Sequence, residues 1–127
     1  MIDVIPLSAC HTEQYGTISV TSLLSFNNYF DPRNAAFGSL LVFNDYRVPP
    51  AAGFKMHPHH NCEQLFFVVE GTQKCVDPLN NSLVLKPVTV QRVTAGTGYA
   101  RETANYGNSM LRFMSVRFQP RCLPITK

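Results

Sequence analysis

Short apolar runs separated by turn-forming residues recur along this chain and have the spacing of β-strands. The runs are rich in Val, Leu, Phe and Thr, and they lie at residues 17–22, 39–44, 64–69, 82–85, 88–94 and 110–118. Several alternate apolar with polar residues, as residues 88–93 do, which is typical of strands with one buried face. Turn-forming residues lie between the runs, at 31–32, 49–50, 70–71, 78–81, 96–98 and 106–108.

This pattern predicts an all-β protein with two antiparallel sheets and almost no helix. Many short strands joined by tight turns favour a closed barrel or a sandwich, because closure removes unpaired strand edges. The chain has 127 residues and no stretch that resembles a linker. We therefore expect one domain over residues 1–127.

Composition and charge narrow the class of protein. The apolar share of 45% and the charged share of 15% are those of an ordinary folded protein. The net charge of +3 is small and the basic residues are scattered, so we expect no direct contact with nucleic acid. No basic leader and no run of eighteen apolar residues occur, which favours a soluble cytoplasmic protein without membrane contact. The four cysteines match neither a zinc ribbon nor a disulfide scaffold, so we expect reduced thiols.

The most informative segment runs from Gly53 to Gly71 and contains two histidines, His57 and His59, on either side of Pro58. The proline keeps His57 out of helical geometry. In an extended segment, residues two apart project from the same face, so the two imidazoles can converge inside a barrel. Such a pair is half of a metal site, although two histidines this close also occur on ordinary surfaces.

The segment resembles the first motif of the cupin superfamily: a glycine, His-x-His, an acidic residue and an apolar strand that ends in Glu-Gly. It resembles the pirin family more closely, whose pattern is His-Pro-His-x-x-x-Glu before a strand ending in Leu-Glu-Gly. Further similarities extend over roughly residues 22–120. They are Ser25-Phe26-Asn27-Asn28-Tyr29-Phe30-Asp31-Pro32, Val42-Phe43-Asn44-Asp45, Asp77 with Asn81, and Gln91-Arg92-Val93-Thr94-Ala95-Gly96-Thr97-Gly98. The resemblance implies a single cupin barrel, which is a double-stranded β-helix or jelly roll.

The resemblance also implies a metal site, of which this chain keeps only part. After Ala-Gly-Thr-Gly the pirin pattern has a His and a Glu that complete a site of three His and one carboxylate for iron. Arg101 and Thr103 occupy those two positions here. Arginine stays protonated and offers only donors, and a threonine hydroxyl is a weak ligand.

Three other residues remain candidates for a third ligand. They are Glu63, Glu102 if its strand slips by one residue, and Cys62. The predicted metal site is therefore a degenerate one of His57, His59 and Glu63, able to hold a divalent ion such as Fe, Ni, Zn or Mn.

Arg101 has two interpretations, which the sequence leaves open. A side chain that points into the barrel would place a fixed positive charge near where the family holds a cation, and could pair with Glu63 or bind an anion. A side chain that points outward would leave a pocket without chemistry. The inward alternative predicts a ligand-binding set of Arg101, Glu63, Gln64 and Thr103.

Three classes of function follow from the resemblance. The first, which we favour, is a domain that binds a small molecule with an anionic or aromatic group in its barrel. The second is a metal-dependent dioxygenase of the quercetin 2,3-dioxygenase type, and the third is a metal-responsive partner of transcription regulators. The incomplete ligand set favours binding over oxidation, and a fold does not imply a reaction.

Pirins usually add a second barrel, so a chain that lacks one exposes apolar surface, and we expect a homodimer.

Overall fold

Ten strands make up almost all of the regular structure in the described part of the chain. A computed structural model describes residues 4–26, 29–59, 62–95 and 99–119, with the backbone alone at 7, 57–59, 95 and 99. The only helical segments among these residues are two 3-10 turns, Leu7–Ala9 and Pro32–Asn34. The strands are β1 (His11–Tyr15), β2 (Ile18–Ser22), β3 (Leu40–Val48), β4 (Gly53–His59), β5 (Cys62–Glu70), β6 (Gln73–Val76), β7 (Ser82–Leu85), β8 (Thr89–Ala95), β9 (Tyr99–Asn105) and β10 (Leu111–Phe118).

The strands form two antiparallel sheets. The larger sheet has the order β1-β2-β3-β10-β5-β8, and the smaller one has the order β4-β9-β6-β7. Nine buried residues from both sheets form one core, so the sheets pack face to face: Ile18, Val20, Val48, Phe66, Val68, Cys75, Leu85, Leu111 and Phe113. The predicted all-β architecture of two antiparallel sheets is confirmed. Neither helical turn is long enough to cross a membrane.

Each of the six predicted runs coincides with a strand, whereas β1, β6 and β9 were not predicted. These three carry few apolar residues, with the sequences HTEQY, QKCV and YARETAN. The β6 and β9 strands nevertheless bury polar side chains between the sheets, including Gln73, Arg101, Thr103 and Asn105. An apolar pattern cannot reveal strands of this kind.

The interior of the barrel changes character along β10. At the start of this strand Leu111 lies opposite Val48, and Phe113 lies opposite Val68, all of them buried and apolar. Farther along, Ser115 is also buried and lies opposite Asn44, which is 0% exposed. The space between the sheets is therefore mostly apolar at the end of Leu111 and Val48, although Asn105 is buried there and donates a hydrogen bond to the Val48 carbonyl. The end of Ser115 and Asn44 carries more polar groups and is called the polar end below.

A β-bulge in β4 sets the alignment of its second half. Phe54 lies opposite Thr103, but His57 lies opposite Arg101, so three steps along β4 match two steps along β9. The extra residue lets positions 54 and 57 both lie opposite buried positions of β9.

Candidate functional site

Arg101 is the one charged residue among the buried polar side chains that the structure describes, with 6% of its surface exposed. Its Nη1 donates a hydrogen bond of 2.8 Å to Oε1 of Gln91. Its Cζ lies 4.0 Å from the centroid of the Phe66 ring, which is a cation–π contact. Its buried Nη2 has no hydrogen-bond partner among the described residues. The side chain of Arg101 therefore points into the interior, which is the first of the two interpretations of this residue.

A cleft of about 250 Å³ has Arg101 among its lining residues. It opens between the β6–β7 hairpin, which contributes Cys75 and Leu83, and the inner side of β8, which contributes Gln91 and Val93. The pleat of β8 places these last two residues opposite Phe66 and Gln64. The wall is thus mixed, with apolar carbon on most of its surface and Arg101 as its one basic residue.

Thr103 lies two residues beyond Arg101 and is 5% exposed, so it shares the inner face of β9. Its Oγ1 is 4.0 Å from Sγ of Cys75 on the neighbouring strand. Burial raises the pKa of the Cys75 thiol, while the positive charge of Arg101 and the Thr103 contact act in the opposite direction. The balance keeps Cys75 a neutral thiol near neutral pH.

Gln64 is 1% exposed and lies on the same face of β5 as Phe66. It lies opposite Val93 on one side and Arg117 on the other. Gln64 therefore belongs to the polar end of the interior, together with Arg101 and Thr103.

Glu63 lies on the other face of β5, and the structure does not bring it together with Arg101. Its carboxylate accepts a hydrogen bond of 3.2 Å from Oγ1 of Thr94, and Nε of Arg92 lies 3.6 Å from its second oxygen. Side chains of adjacent strand residues point to opposite faces, so Glu63 cannot share the interior with Gln64 without a bulge. Its predicted roles as a metal ligand and as a ligand-binding residue thus receive no support from this placement.

Two alternative third ligands also have defined places. Glu102 lies opposite Val76 between the buried Arg101 and Thr103, so β9 has not slipped and the carboxylate faces outward. Cys62 is buried on the inner side of β5, and burial raises the pKa of its thiol.

The histidine pair lies on an extended strand, as its sequence predicts. His57 and His59 both belong to β4, opposite Arg101 and Tyr99 of β9. The side chains of residues 57–59 lie outside the described structure, as does all of His60. Among the side chains that are described, no group of three or more His, Cys, Asp and Glu is close enough to hold a metal ion.

Three residues of the site were not predicted. Gln91 anchors the guanidinium, Phe66 supports its face, and Cys75 lines the cleft. Phe66 is also part of the hydrophobic core cluster. Gln91 could have been predicted only by knowing which face of β8 is turned inward. The sequence allows either face, and the apolar residues of β8 favour the wrong one.

The sequence model of the Pirin family matches residues 8–116. This chain belongs to the pirin family. A pirin-like protein of Caulobacter vibrioides is 30% identical over 121 residues, which are 95% of this chain and 52% of that protein. Quercetin 2,3-dioxygenase of Escherichia coli K12 is 34% identical over 91 residues, or 72% of this chain and 39% of that enzyme. The chain thus spans about half, or less, of the curated pirin relatives that it matches.

Solved structures give the same fold. The bacterial pirin YhhW of Escherichia coli, in a complex with nickel(II), superposes with a TM-score of 0.90 at 29% identity, over 94% of this chain and 52% of that one. The cupin domain of Schizosaccharomyces pombe Cnp3 superposes with a TM-score of 0.65 at 15% identity, over 91% of this chain and 72% of that one. The pirin domain described here is therefore a cupin double-stranded β-helix, as the resemblance implied.

The side chains of this pirin domain do not supply the complete metal site of three His and one carboxylate that the pirin pattern has. A metal held by His57 and His59 would meet the buried guanidinium of Arg101, which lies directly opposite His57 on the ladder. A guanidinium has no lone pair to give, and its positive charge repels a cation most strongly where water is excluded. Thr103 adds only a hydroxyl.

Proposed function

We propose that this pirin domain binds a small molecule with an anionic or aromatic group in the cleft that Arg101 lines. The observation that carries the proposal is the buried Nη2 of Arg101, which has no hydrogen-bond partner in the described part of the chain. A buried donor without a partner costs roughly 1–3 kcal/mol, and more when it is charged. An acceptor atom of a ligand would remove that cost.

The guanidinium is held ready for such an acceptor. Gln91 fixes one nitrogen and the Phe66 ring supports the planar face, so little side-chain freedom is lost when a ligand arrives. Hydrogen bonds from a guanidinium to a carboxylate are charge-assisted and about twice as strong as neutral ones. The same nitrogen could also donate to a phenol oxygen, but with less gain.

The size of the cleft favours a compact ligand. Its volume of about 250 Å³ lies just below the range of roughly 300–1,000 Å³ that is usual for sites that hold drug-sized molecules. A single aromatic ring or a short chain with a carboxylate fits this space better than a three-ring flavonol.

A matched pair of probes tests the proposal. We expect benzoate to bind the metal-free protein and to bind more tightly than benzamide, its uncharged analogue, because only benzoate brings a negative charge to Arg101. Arg101→Gln should weaken benzoate binding by more than about tenfold. Arg92→Gln is the control, since Arg92 lies on the outer side of β8 near Glu63. Equal calorimetric affinities for benzoate and benzamide would contradict the anionic form of the proposal and favour the aromatic one. Absence of binding by both probes, or benzoate binding that survives Arg101→Gln, would contradict the proposal as a whole.

The second candidate is a dioxygenase of the quercetinase type, which the names of several relatives favour. It requires a metal held by His57 and His59 without the two further ligands of the family pattern. Turnover of quercetin by protein supplied with nickel or iron, lost in His57→Ala, would support this candidate over simple binding. Absence of turnover with full benzoate binding would support the binding domain.

A further inference from the structure

Gln91 holds the guanidinium of Arg101 without neutralising it. The contact is a hydrogen bond of 2.8 Å to a neutral amide, and the Phe66 ring on the face of the guanidinium is uncharged as well. Among the described residues, no carboxylate oxygen lies within 4.0 Å of the Arg101 guanidinium. Buried charges in folded proteins are usually paired. The partner that the buried Arg101 lacks is therefore an anion.

The charge of Arg101 acts inside the cleft. Cys75 and Arg101 both line it. Burial raises the pKa of the Cys75 thiol, and the positive charge of Arg101 opposes that shift, because a nearby cation favours the thiolate. The same charge favours any other anion that enters the cleft beside Cys75.

Gln91 has a second polar atom, the amide nitrogen Nε2, that is free to donate. A guanidinium offers only donors, so the atom of Gln91 that meets Arg101 is the carbonyl oxygen, and Nε2 keeps its own N–H groups for another partner. No described residue accepts a hydrogen bond from Nε2. Gln91 is half-buried and lines the same cleft as Arg101. Two residues in direct contact thus each have donors without an acceptor from the described protein.

The two sets of donors are close together. Covalent geometry separates Nη1 from Nη2, and Oε1 from Nε2, by about 2.3 Å. With a hydrogen bond of 2.8 Å between the side chains, Nε2 lies no more than about 7.5 Å from Nη2. A carboxylate can span such a gap, because its oxygens are about 2.2 Å apart and each accepts hydrogen bonds of about 2.9 Å. A single phenol oxygen would have to serve both donors at once.

We propose that the cleft selects a carboxylate, with one oxygen bound by Nη2 of Arg101 and the other by Nε2 of Gln91. Gln91 is then the residue that determines specificity. This inference rests on the proposed function, because it takes Arg101 as the anchor for a ligand. It decides between the anionic and aromatic forms of that function and adds a second binding residue. It also gives a reason for a neutral side chain at position 91, since an acidic one would pair with Arg101 in place of the ligand.

Two anions that share a nitro-substituted ring test the inference by calorimetry on the metal-free protein. They are 4-nitrobenzoate, which has a carboxylate, and 4-nitrophenolate, which has a single oxygen, both in a mildly alkaline buffer that keeps them ionised. We expect 4-nitrobenzoate to bind at least about fivefold more tightly, because it alone offers an oxygen to each donor. Gln91→Met, which removes Nε2, should reduce this preference to within about twofold.

Gln91→Glu gives a second and opposite test. It keeps an acceptor for Nη1 of Arg101, adds a negative charge and removes the donor. We expect the affinity for both anions to fall by more than about tenfold, and the urea midpoint of the metal-free protein to rise, because the buried cation gains a charged partner. Gln14→Glu is the matched control, since Gln14 is an exposed glutamine on β1 and does not line the cleft.

The outcomes separate the two proposals. Equal binding of both anions by the wild type, with both lost in Arg101→Gln, overturns the carboxylate specificity and leaves the proposed function intact. A preference that persists in Gln91→Met overturns the inference, and so does a Gln91→Glu variant that loses binding and stability together, which would show a structural role alone. Binding of neither anion by the folded wild type overturns the proposed function and this inference with it. The wild-type comparison remains decisive even if a Gln91 variant does not fold.

Discussion

Arg101 lies directly opposite His57 on the β4–β9 ladder and shares the inner face of β9 with Thr103. Two substitutions at these positions would restore the residue types of the pirin pattern. The double change Arg101→His with Thr103→Glu removes the buried positive charge and adds an imidazole and a carboxylate. We expect the affinity for nickel to rise more than about tenfold with Arg101→His alone and further with both changes, because each adds a ligand.

Calorimetry with nickel on the wild type and both variants would measure this gain. Arg101→Gln with Thr103→Gln is the control, because it removes the charge without adding an imidazole or a carboxylate. Tight stoichiometric binding by the wild type, unchanged by the restoring substitutions, would show that other groups already complete the site.

A second prediction at the residue scale concerns two buried glutamines. Gln73 is 0% exposed, and neither its Oε1 nor its Nε2 has a hydrogen-bond partner among the described residues. Replacing a buried polar group that lacks partners by an apolar one of similar shape removes a cost. We expect Gln73→Met to raise the free energy of unfolding by about 1 kcal/mol, as measured by urea denaturation.

Gln64 provides the matched control, since it is 1% exposed but does have an interaction partner. Gln64→Met should lower the free energy of unfolding by about 1 kcal/mol. If Gln73→Met destabilises the domain as much as Gln64→Met does, then internal water or a bound molecule satisfies Gln73 in solution.

The sequence predicted part of this site. Arg101, Thr103 and the extended histidine strand followed from the motifs, and Gln64 is indeed inside. Glu63 was placed inside as well, because a motif gives the order of residues but not which face of the strand each one occupies. The pairing of β5 with β8 and β10 decides that question, and this pairing joins residues that are distant in sequence.

At the scale of the elements, β8 shows how a good pattern can indicate the wrong face. The alternation of the predicted run 88–93 suggests that Val88 and Val90 are the buried side. Val88 instead lies in the turn before β8, and the two valines are 79% and 58% exposed. Gln91 and Val93 line the cleft instead. The strand itself could be predicted because alternation is local, but a polar pocket reverses the usual assignment of faces.

The turn after β5 gives a prediction about the Glu-Gly motif. Gly71 has a φ of +79°, and a Cβ added there would lie 2.6 Å from the carbonyl oxygen of Met110. The alanine variant would combine an unfavourable backbone conformation with a backbone clash. We expect Gly71→Ala to lower the free energy of unfolding by more than about 2 kcal/mol.

Gly38→Ala separates the two causes. Gly38 has a φ of +61°, but a Cβ there would meet nothing within 4 Å. This variant should therefore lose only the conformational part, roughly 1 kcal/mol. Equal losses of stability in urea denaturation would mean that the Met110 contact relaxes without cost.

At the scale of the whole molecule, the expected homodimer remains a prediction. Phe67 and Val90 lie opposite each other on the outer face of the larger sheet and are 36% and 58% exposed. Contact between two copies through this pair would remove apolar surface from water. We expect light scattering to give the mass of a dimer, and Val90→Lys to shift it towards the monomer. Val84→Lys is the control on β7, where Val84 is 51% exposed. A wild-type monomer at high concentration would contradict the prediction.

The bulge in β4 fixes the register of the second half of this strand against β9. Residues 55 and 56 together lie opposite one residue of β9. The alternation of the two faces of β4 therefore shifts by one residue between its first and second halves. Deleting either residue would make the strand regular and leave position 57 opposite Arg101, because three steps along β4 would become two. If both residues entered a regular ladder instead, position 57 would lie opposite Ala100, and the histidine motif would shift by one residue against β9. The alignment of the histidine motif with Arg101 therefore tolerates the loss of one residue at the bulge but not the loss of the bulge itself.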